Sequence, residues 1–257
     1  MRVVSHTCSN TEIVCALGLG HWLVGVDNDS DFPPEVVGAL PQLGRDLNLE
    51  LTAVVALQPD LVLSSRTLPG HNAIVAELEG AGLRTLVCEP LRLADVYTDI
   101  QGIAVALGVP ERGAALVREM QAAMPPVTAA AVRPGVLVEW WPKPVIAPTR
   151  DSWVTDLIEL AGGCNPFAAR AGKSTPLTDA EVLAAAPDAV VMSWCGVPLA
   201  KYRAEVVRRR EGWDALAAVR EGRIHAVTEA YLGRPGPRLV EGYRALRDLI
   251  AAAASAR

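Results

Sequence analysis

Phenylalanine is nearly missing from this chain: two residues in 257, against six tryptophans. Aromatics total only 5%, so the core is expected to be mainly aliphatic and the place of each indole matters. The five cysteines are odd in number and form no C-x-x-C pair, which excludes a disulfide framework and a zinc knuckle. Free thiols suit a reducing compartment, or serve as small buried apolar side chains. No run reaches the roughly 18 apolar residues of a membrane span, and residues 249–256 are a short Ala-rich tail. There is no basic excess: 24 Lys+Arg stand against 29 Asp+Glu, a net charge of -5, so the footprint of a nucleic-acid binder is absent. The opening Met1-Arg2-Val3-Val4-Ser5 lacks the apolar stretch and cleavage site of a secretory leader. The expectation is a cytoplasmic chain if Met1 is the true start, or a periplasmic or cell-surface one if a leader has been trimmed. Finally, G-x-S-x-G, H-E-x-x-H, G-x-x-x-x-G-K-[ST] and G-x-G-x-x-G do not occur, so the usual nucleophile, zinc and phosphate signatures are missing.

What is present is a 51% hydrophobic, 21% charged chain, apolar enough to bury a substantial core. Short apolar strands are predicted at residues 3–4, 23–26, 61–64 and 85–88, and again at 135–139, 189–193 and 223–227. Between them the spacing predicts helices over 11–19, 51–57, 73–80, 94–107 and 111–124, then over 153–160, 179–186, 204–210, 213–219 and 238–253. Residues 140–149 and 229–237 read as loops. Alternation of strand and helix predicts two α/β sandwiches with mainly parallel sheets.

An internal echo supports two halves. Thr11-Glu12-Ile13-Val14 before Leu17-Gly18 resembles Thr155-Asp156-Leu157-Ile158 before Ala161-Gly162. The stretch from Val54 to Gln58-Pro59-Asp60-Leu61-Val62 resembles that from Val182 to Ala186-Pro187-Asp188-Ala189-Val190. The expected domains are residues 1–107 and 134–257, with 108–133 as a helical connector. Its strong helix formers suit a stiff strut, although Pro125-Pro126 must interrupt it.

Ligands in open α/β sheets gather at the carboxyl ends of strands. Loops there carry Cys8, Ser9, Asn10, Asp29 and Arg66 in the first half, and Trp140, Trp141, Trp194, Cys195, Tyr231 and Arg234 in the second. Trp153 opens the helix that follows one of these loops. Indoles supply large rigid faces, so several together at strand ends predict a flat ligand surface, whereas Trp22 and Trp213 read as structural. Arg234-Pro235-Gly236-Pro237-Arg238 holds two guanidinium groups beside a turn, where an Arg can fork onto an acid or amide oxygen; the same residues would also serve as a solvated capping turn. His21, His71 and His225 are scattered and read as solvated or structural.

These residues, in order, resemble a known family. Ser9-Asn10-Thr11-Glu12-Ile13, Leu23-Val24-Gly25-Val26, Asp31-Phe32-Pro33, Leu57-Gln58-Pro59-Asp60-Leu61-Val62, Ala161-Gly162-Gly163 and Gly233-Arg234-Pro235-Gly236-Pro237-Arg238 are similar to motifs of the class III substrate-binding proteins of ABC importers, and most similar to the cobalamin-type branch. The resemblance implies two Rossmann-like lobes joined by a long rigid helix into a C-clamp, with the ligand in the cleft and little closure. It implies a cobalamin-like, haem or ferric-siderophore ligand, no cofactor, no catalysis and a monomer. It also implies docking to a permease dimer through acidic residues on each lobe, here Glu77 or Glu79 and Glu229 or Glu241. The vitamin B12-binding relatives place aromatics after the second and third strands, where this chain has Asp29 and Ser65. Two alternatives stay open: a corrinoid- or metal-handling protein or enzyme using Cys8, Cys195 and His6, and a ligand-free interaction protein.

Overall fold

The first unit is built on strands β1 (Val3–Ser5), β2 (Leu23–Val26), β3 (Gly44–Arg45), β4 (Asn48–Leu49), β5 (Leu61–Ser65) and β6 (Thr85–Cys88). Its helices are α1 (Cys8–Ala16), α2 (Pro34–Val37), α3 (Leu51–Ala56), α4 (His71–Gly80), α5 (Leu93–Ala106) and α6 (Pro110–Ala123). In this computed structural model, which describes residues 1–128 and 132–255, β1 and β5 are buried at every position. Such two-sided burial belongs to central parallel strands covered by helices on both faces, and the sheet order is β2-β1-β5-β6, all parallel. β3 and β4 form a separate hairpin. α5 and α6 approach closely at Gly113, where a Cβ would meet the Ala104 methyl at 2.4 Å.

The second unit holds β7 (Val136–Glu139), β8 (Trp141–Pro142), β9 (Val145–Pro148), β10 (Ser174–Leu177), β11 (Ala189–Met192) and β12 (Ile224–Ala226). Its helices are α7 (Trp153–Leu160), α8 (Asp179–Ala185), α9 (Ala204–Arg208), α10 (Ala217–Arg220), α11 (Glu229–Leu232) and α12 (Leu239–Ser255). β12-β11-β7 is a parallel sheet, and β10-β9-β8 an antiparallel one. α8 starts from a full capping box, Thr178 with Glu181; α7 starts from the Ser152 hydroxyl, which accepts from the Val154 amide. Among the described residues, no helix is long and apolar enough to cross a membrane.

The structure matches the echo in detail. Asp60 accepts from the Arg2 amide at 2.7 Å, and Asp188 from the Gly135 amide at 2.6 Å. Each carboxylate thus caps the chain entering the first strand of its unit. The residues two positions earlier, Gln58 and Ala186, both have positive φ, 46° and 43°.

Three expectations need correction. Residues 140–149 are not a loop: Trp141 pairs with Ile146 and Pro142 with Val145 in the β8–β9 hairpin. Residues 229–237 contain α11, started by the Thr228 hydroxyl, which accepts from the Ala230 amide. The expected helical connector stops at Ala123, because neither Pro125 nor Pro126 can donate a backbone bond. The chain beyond is instead fastened to the second unit, by the Val127 amide to the Leu160 carbonyl at 2.9 Å and the Tyr243 hydroxyl to the Pro125 carbonyl. Part of the predicted extension, residues 129–131, lies outside the described residues. The chain forms two compact units, Met1–Pro90 with Ala94–Met120, and Leu91–Leu93 with Gln121–Arg257.

Candidate functional site

In the first unit the segment leaving β1 turns sharply, with Thr7 at φ 109°. Asp27, buried after β2, accepts from the Thr7 amide (2.9 Å), the Asp29 amide (2.9 Å) and the Ser30 hydroxyl (2.7 Å). Burial nevertheless pushes its carboxyl above the ordinary range, these bonds opposing the rise. Asn10 is buried and donates to the carbonyls of His6 (3.3 Å) and Ser64 (3.0 Å). Ser9 is buried beside Thr7 at 3.4 Å. Both therefore shape the turn and present little to solvent. Cys8 is half-buried and its thiol donates to the Asp29 carbonyl at 2.9 Å. Asp29 in turn pairs with Arg45 at 3.3 Å. Arg66 is exposed, 3.7 Å from Glu89.

His6 and His71 are both buried, with ring centroids 5.2 Å apart. His6 Nε2 meets the Asp46 carbonyl at 2.6 Å, so this nitrogen carries the proton, and Nδ1 meets the Ser64 hydroxyl at 2.9 Å. Burial lowers the His6 pKa, and His71, 3.7 Å from the Asp46 carboxylate, holds that acid below its ordinary range. The pair fastens the tip of the β3–β4 hairpin to β1 and α4. Apolar side chains stand exposed nearby: Leu47 on that tip and Leu68 after β5. Neither was legible as a site residue, because a lone leucine in a loop carries no signal.

In the second unit the four tryptophans expected to face a ligand divide. Trp141 is 42% exposed and donates from Nε1 to the Lys143 carbonyl at 3.1 Å. Trp140 is 9% exposed; its carbonyl accepts from the Cys195 amide at 3.0 Å. Trp153 and Trp194 were expected to offer ligand faces, but they are only 1% and 4% exposed. The reason is local packing. Trp153 has Lys173 Nζ 4.5 Å from its ring centroid, Trp140 at 6.0 Å, and Nε1 bonded to the Leu232 carbonyl at 2.7 Å. Trp194 lies 5.0 Å from the Tyr202 ring, whose hydroxyl donates to the Trp194 carbonyl at 3.0 Å. These two indoles support the strand ends from behind. Trp213 is buried and structural as expected, donating to Asp179 at 2.7 Å.

Tyr231 and Arg234 are brought to the same turn by α11 and the start of α12. Both are half-buried. Arg234 Nε donates to Glu229 at 2.7 Å, and the Arg238 guanidinium lies 5.8 Å from the Tyr231 ring centroid. Cys195 is half-buried, and burial, with the Glu229 carboxylate adding to it, pushes its thiol up to about 12. A thiol so protonated is a poor nucleophile or metal ligand. His6 is enclosed, and no group of three His, Cys, Asp or Glu side chains suited to a metal occurs among the described residues.

Sequence reasoning missed Glu139 and Arg210. Glu139 ends β7, fully buried, and pairs with Arg210. A signal did exist: a charged residue closing the run Val136-Leu137-Val138 must find a partner if that strand is central.

The second unit thus presents exposed Trp141 on its hairpin and half-buried Tyr231 and Arg234 at the turn before α12. The chain belongs to the periplasmic binding protein family, which matches residues 3–231. It is 31% identical to an uncharacterized ABC transporter substrate-binding lipoprotein, YvrC, of Bacillus subtilis, over 97% of this chain and 79% of that one. It is 24% identical to the vitamin B12-binding protein of Vibrio parahaemolyticus, over 92% of this chain and 84% of the other. Among solved structures, the apo periplasmic heme-binding protein RhuT from Roseiflexus sp. RS-1 superposes with a TM-score of 0.83 at 28% identity, covering 98% of both chains. The chain is accordingly a substrate-binding component of an ABC importer, and not an enzyme.

Proposed function

We propose that the solute is a large, flat organic ligand of the cobalamin-like, haem or ferric-siderophore kind, held at the carboxyl edges of the sheets as cargo. The observation that carries this reading is that segments after the second unit's strands hold exposed Trp141 and half-buried Cys195, Tyr231 and Arg234. An indole offers area to a ring system, and a guanidinium offers directed donors to peripheral acids or amides. The first unit's own strand-end loops carry Asp29, Arg66 and exposed Leu47 and Leu68, polar and apolar groups in place of stacking rings. The relatives' names, one for vitamin B12 and one for heme, support the same ligand range.

Docking to the permease uses acidic side chains. Glu77 and Glu79 are exposed on α4. In the second unit both candidates are paired, Glu241 with Arg244 and Glu229 with Arg234, and Glu241 is the better one because its side chain is 44% exposed against 18%. The protein works as a monomer in this reading, and a place outside the cytoplasm agrees with the lipoprotein and periplasmic relatives.

The test is a titration of intrinsic fluorescence with cyanocobalamin, haemin and ferrioxamine. Saturable quenching by one of them is expected, and Trp141→Ala should weaken it. No quenching by any of the three would refute the ligand class.

A further inference from the structure

Glu139 and Arg210 are the most completely buried ion pair of the second unit. The Glu139 side chain has no exposure and that of Arg210 is 7% exposed. The guanidinium grips the carboxylate by both oxygens: Nη1 on Oε1, and Nη2 on Oε2 at 3.0 Å. The same carboxylate accepts from Trp194 Nε1 at 3.2 Å, and the same guanidinium donates to the Pro142 carbonyl at 3.2 Å. Arg210 also lies 4.4 Å from the Trp213 ring centroid. Four segments thus meet at one charge pair: the end of β7, the first strand of the hairpin beside Trp141, the loop after β11 at Trp194, and the turn after α9.

The surroundings do not call for charge. Leu137, Val145, Val190, Met192 and Trp213 form one apolar cluster, and a well-packed apolar pair of similar volume is often as stable as a buried ion pair. What apolar side chains do not supply is direction. The forked pair fixes distance and angle between its partners, and those partners carry the exposed indole and the half-buried Cys195 loop.

Resting on the solute-binding reading above, we infer that Glu139 and Arg210 are positioning residues. They touch no solute, but set where the Trp141–Pro142 strand and the loop after Trp194 stand, and so set the affinity of the edge. Stability alone would be met by an apolar replacement; position would not.

The experiment compares wild type with Glu139→Gln, Arg210→Lys and the double variant Glu139→Leu with Arg210→Met. Melting temperature, the near-ultraviolet dichroism of the indoles, acrylamide quenching of Trp141 (assigned with Trp141→Phe) and binding of haemin and cyanocobalamin are measured on each. The expected result for the double variant is a melting temperature close to wild type, an altered indole band and at least a tenfold loss of affinity for whichever probe wild type binds. Arg210→Lys, which keeps charge without the fork, should lose affinity with less loss of stability. Wild-type affinity in the double variant would overturn the inference, as would affinity losses that only follow melting temperature across the series. If the double variant does not fold, the two single variants decide by the same criterion. If wild type binds neither probe, the ligand range is wrong, but the positioning role still stands or falls on whether the indole band and Trp141 accessibility change.

Discussion

α12 crosses the turn that carries Tyr231 at Gly242, and the contact is tight enough to predict a number. A Cβ added to Gly242 would lie 2.2 Å from the Tyr231 carbonyl oxygen and 2.7 Å from Leu232 Cδ2. Carbon and oxygen sit comfortably at about 3.3 Å, so the helix and the turn would have to separate by about 1 Å. The obstacle is backbone and cannot rotate aside. Overpacking of this kind costs about 1–3 kcal/mol, and a rigid obstacle places Gly242→Ala near the upper figure. Helix propensity returns about 1 kcal/mol, leaving a loss of about 2 kcal/mol, and at about 2–4 °C per kcal/mol for a chain of this size the melting temperature should fall by about 4–8 °C. Gly102→Ala is the control. Gly102 lies within α5 with nothing within 4 Å of its added Cβ, so it should gain about 1 kcal/mol from helix propensity. Thermal melts followed at 222 nm measure both. A Gly242→Ala protein melting like wild type would show that α12 does not press on this turn. Because Tyr231 and Arg234 ride on the displaced segment, solute affinity should fall with the same substitution.

Asp99 on α5 has a buried carboxylate oxygen without a hydrogen-bond partner, and burial, with Asp95 adding to it, raises its pKa to about 7. The folded state thus keeps a proton that the unfolded chain releases near pH 4, so wild-type stability declines as pH rises from about 4 to about 7. Asp99→Asn should remove that decline, its advantage growing over this window; a melting difference that is flat with pH would refute the assignment. Cys195 should resist iodoacetamide at pH 8 in the folded protein, since its thiol is pushed up to about 12. Labelling at the rate of an unfolded thiol, read by mass spectrometry, would show that its surroundings are polar.

Legibility in the sequence tracked how local the physics was. The alternation of apolar strands with amphipathic helices marked both parallel sheets, because two-sided burial demands continuous apolar runs. The Pro-Asp echo marked the duplication, and its structural basis is a strand-entry cap formed twice, by Asp60 and Asp188. The β8–β9 hairpin was hidden because Trp141-Pro142 is a two-residue strand interrupted by proline. The short helix at Glu229–Leu232 was hidden because a Pro- and Gly-rich stretch follows it.

By itself the sequence determined the class: two α/β units, their strand-end loops, and the ordered motifs of a substrate-binding protein. Tertiary structure decided which indoles face outward. Trp141 stands two residues beyond the end of β7 and Trp194 two beyond the end of β11, yet one is open and the other enclosed, since exposure depends on what lies across from a side chain. Glu139 stands 55 residues before Trp194 and reaches its indole only through folding, as Arg210 reaches Glu139.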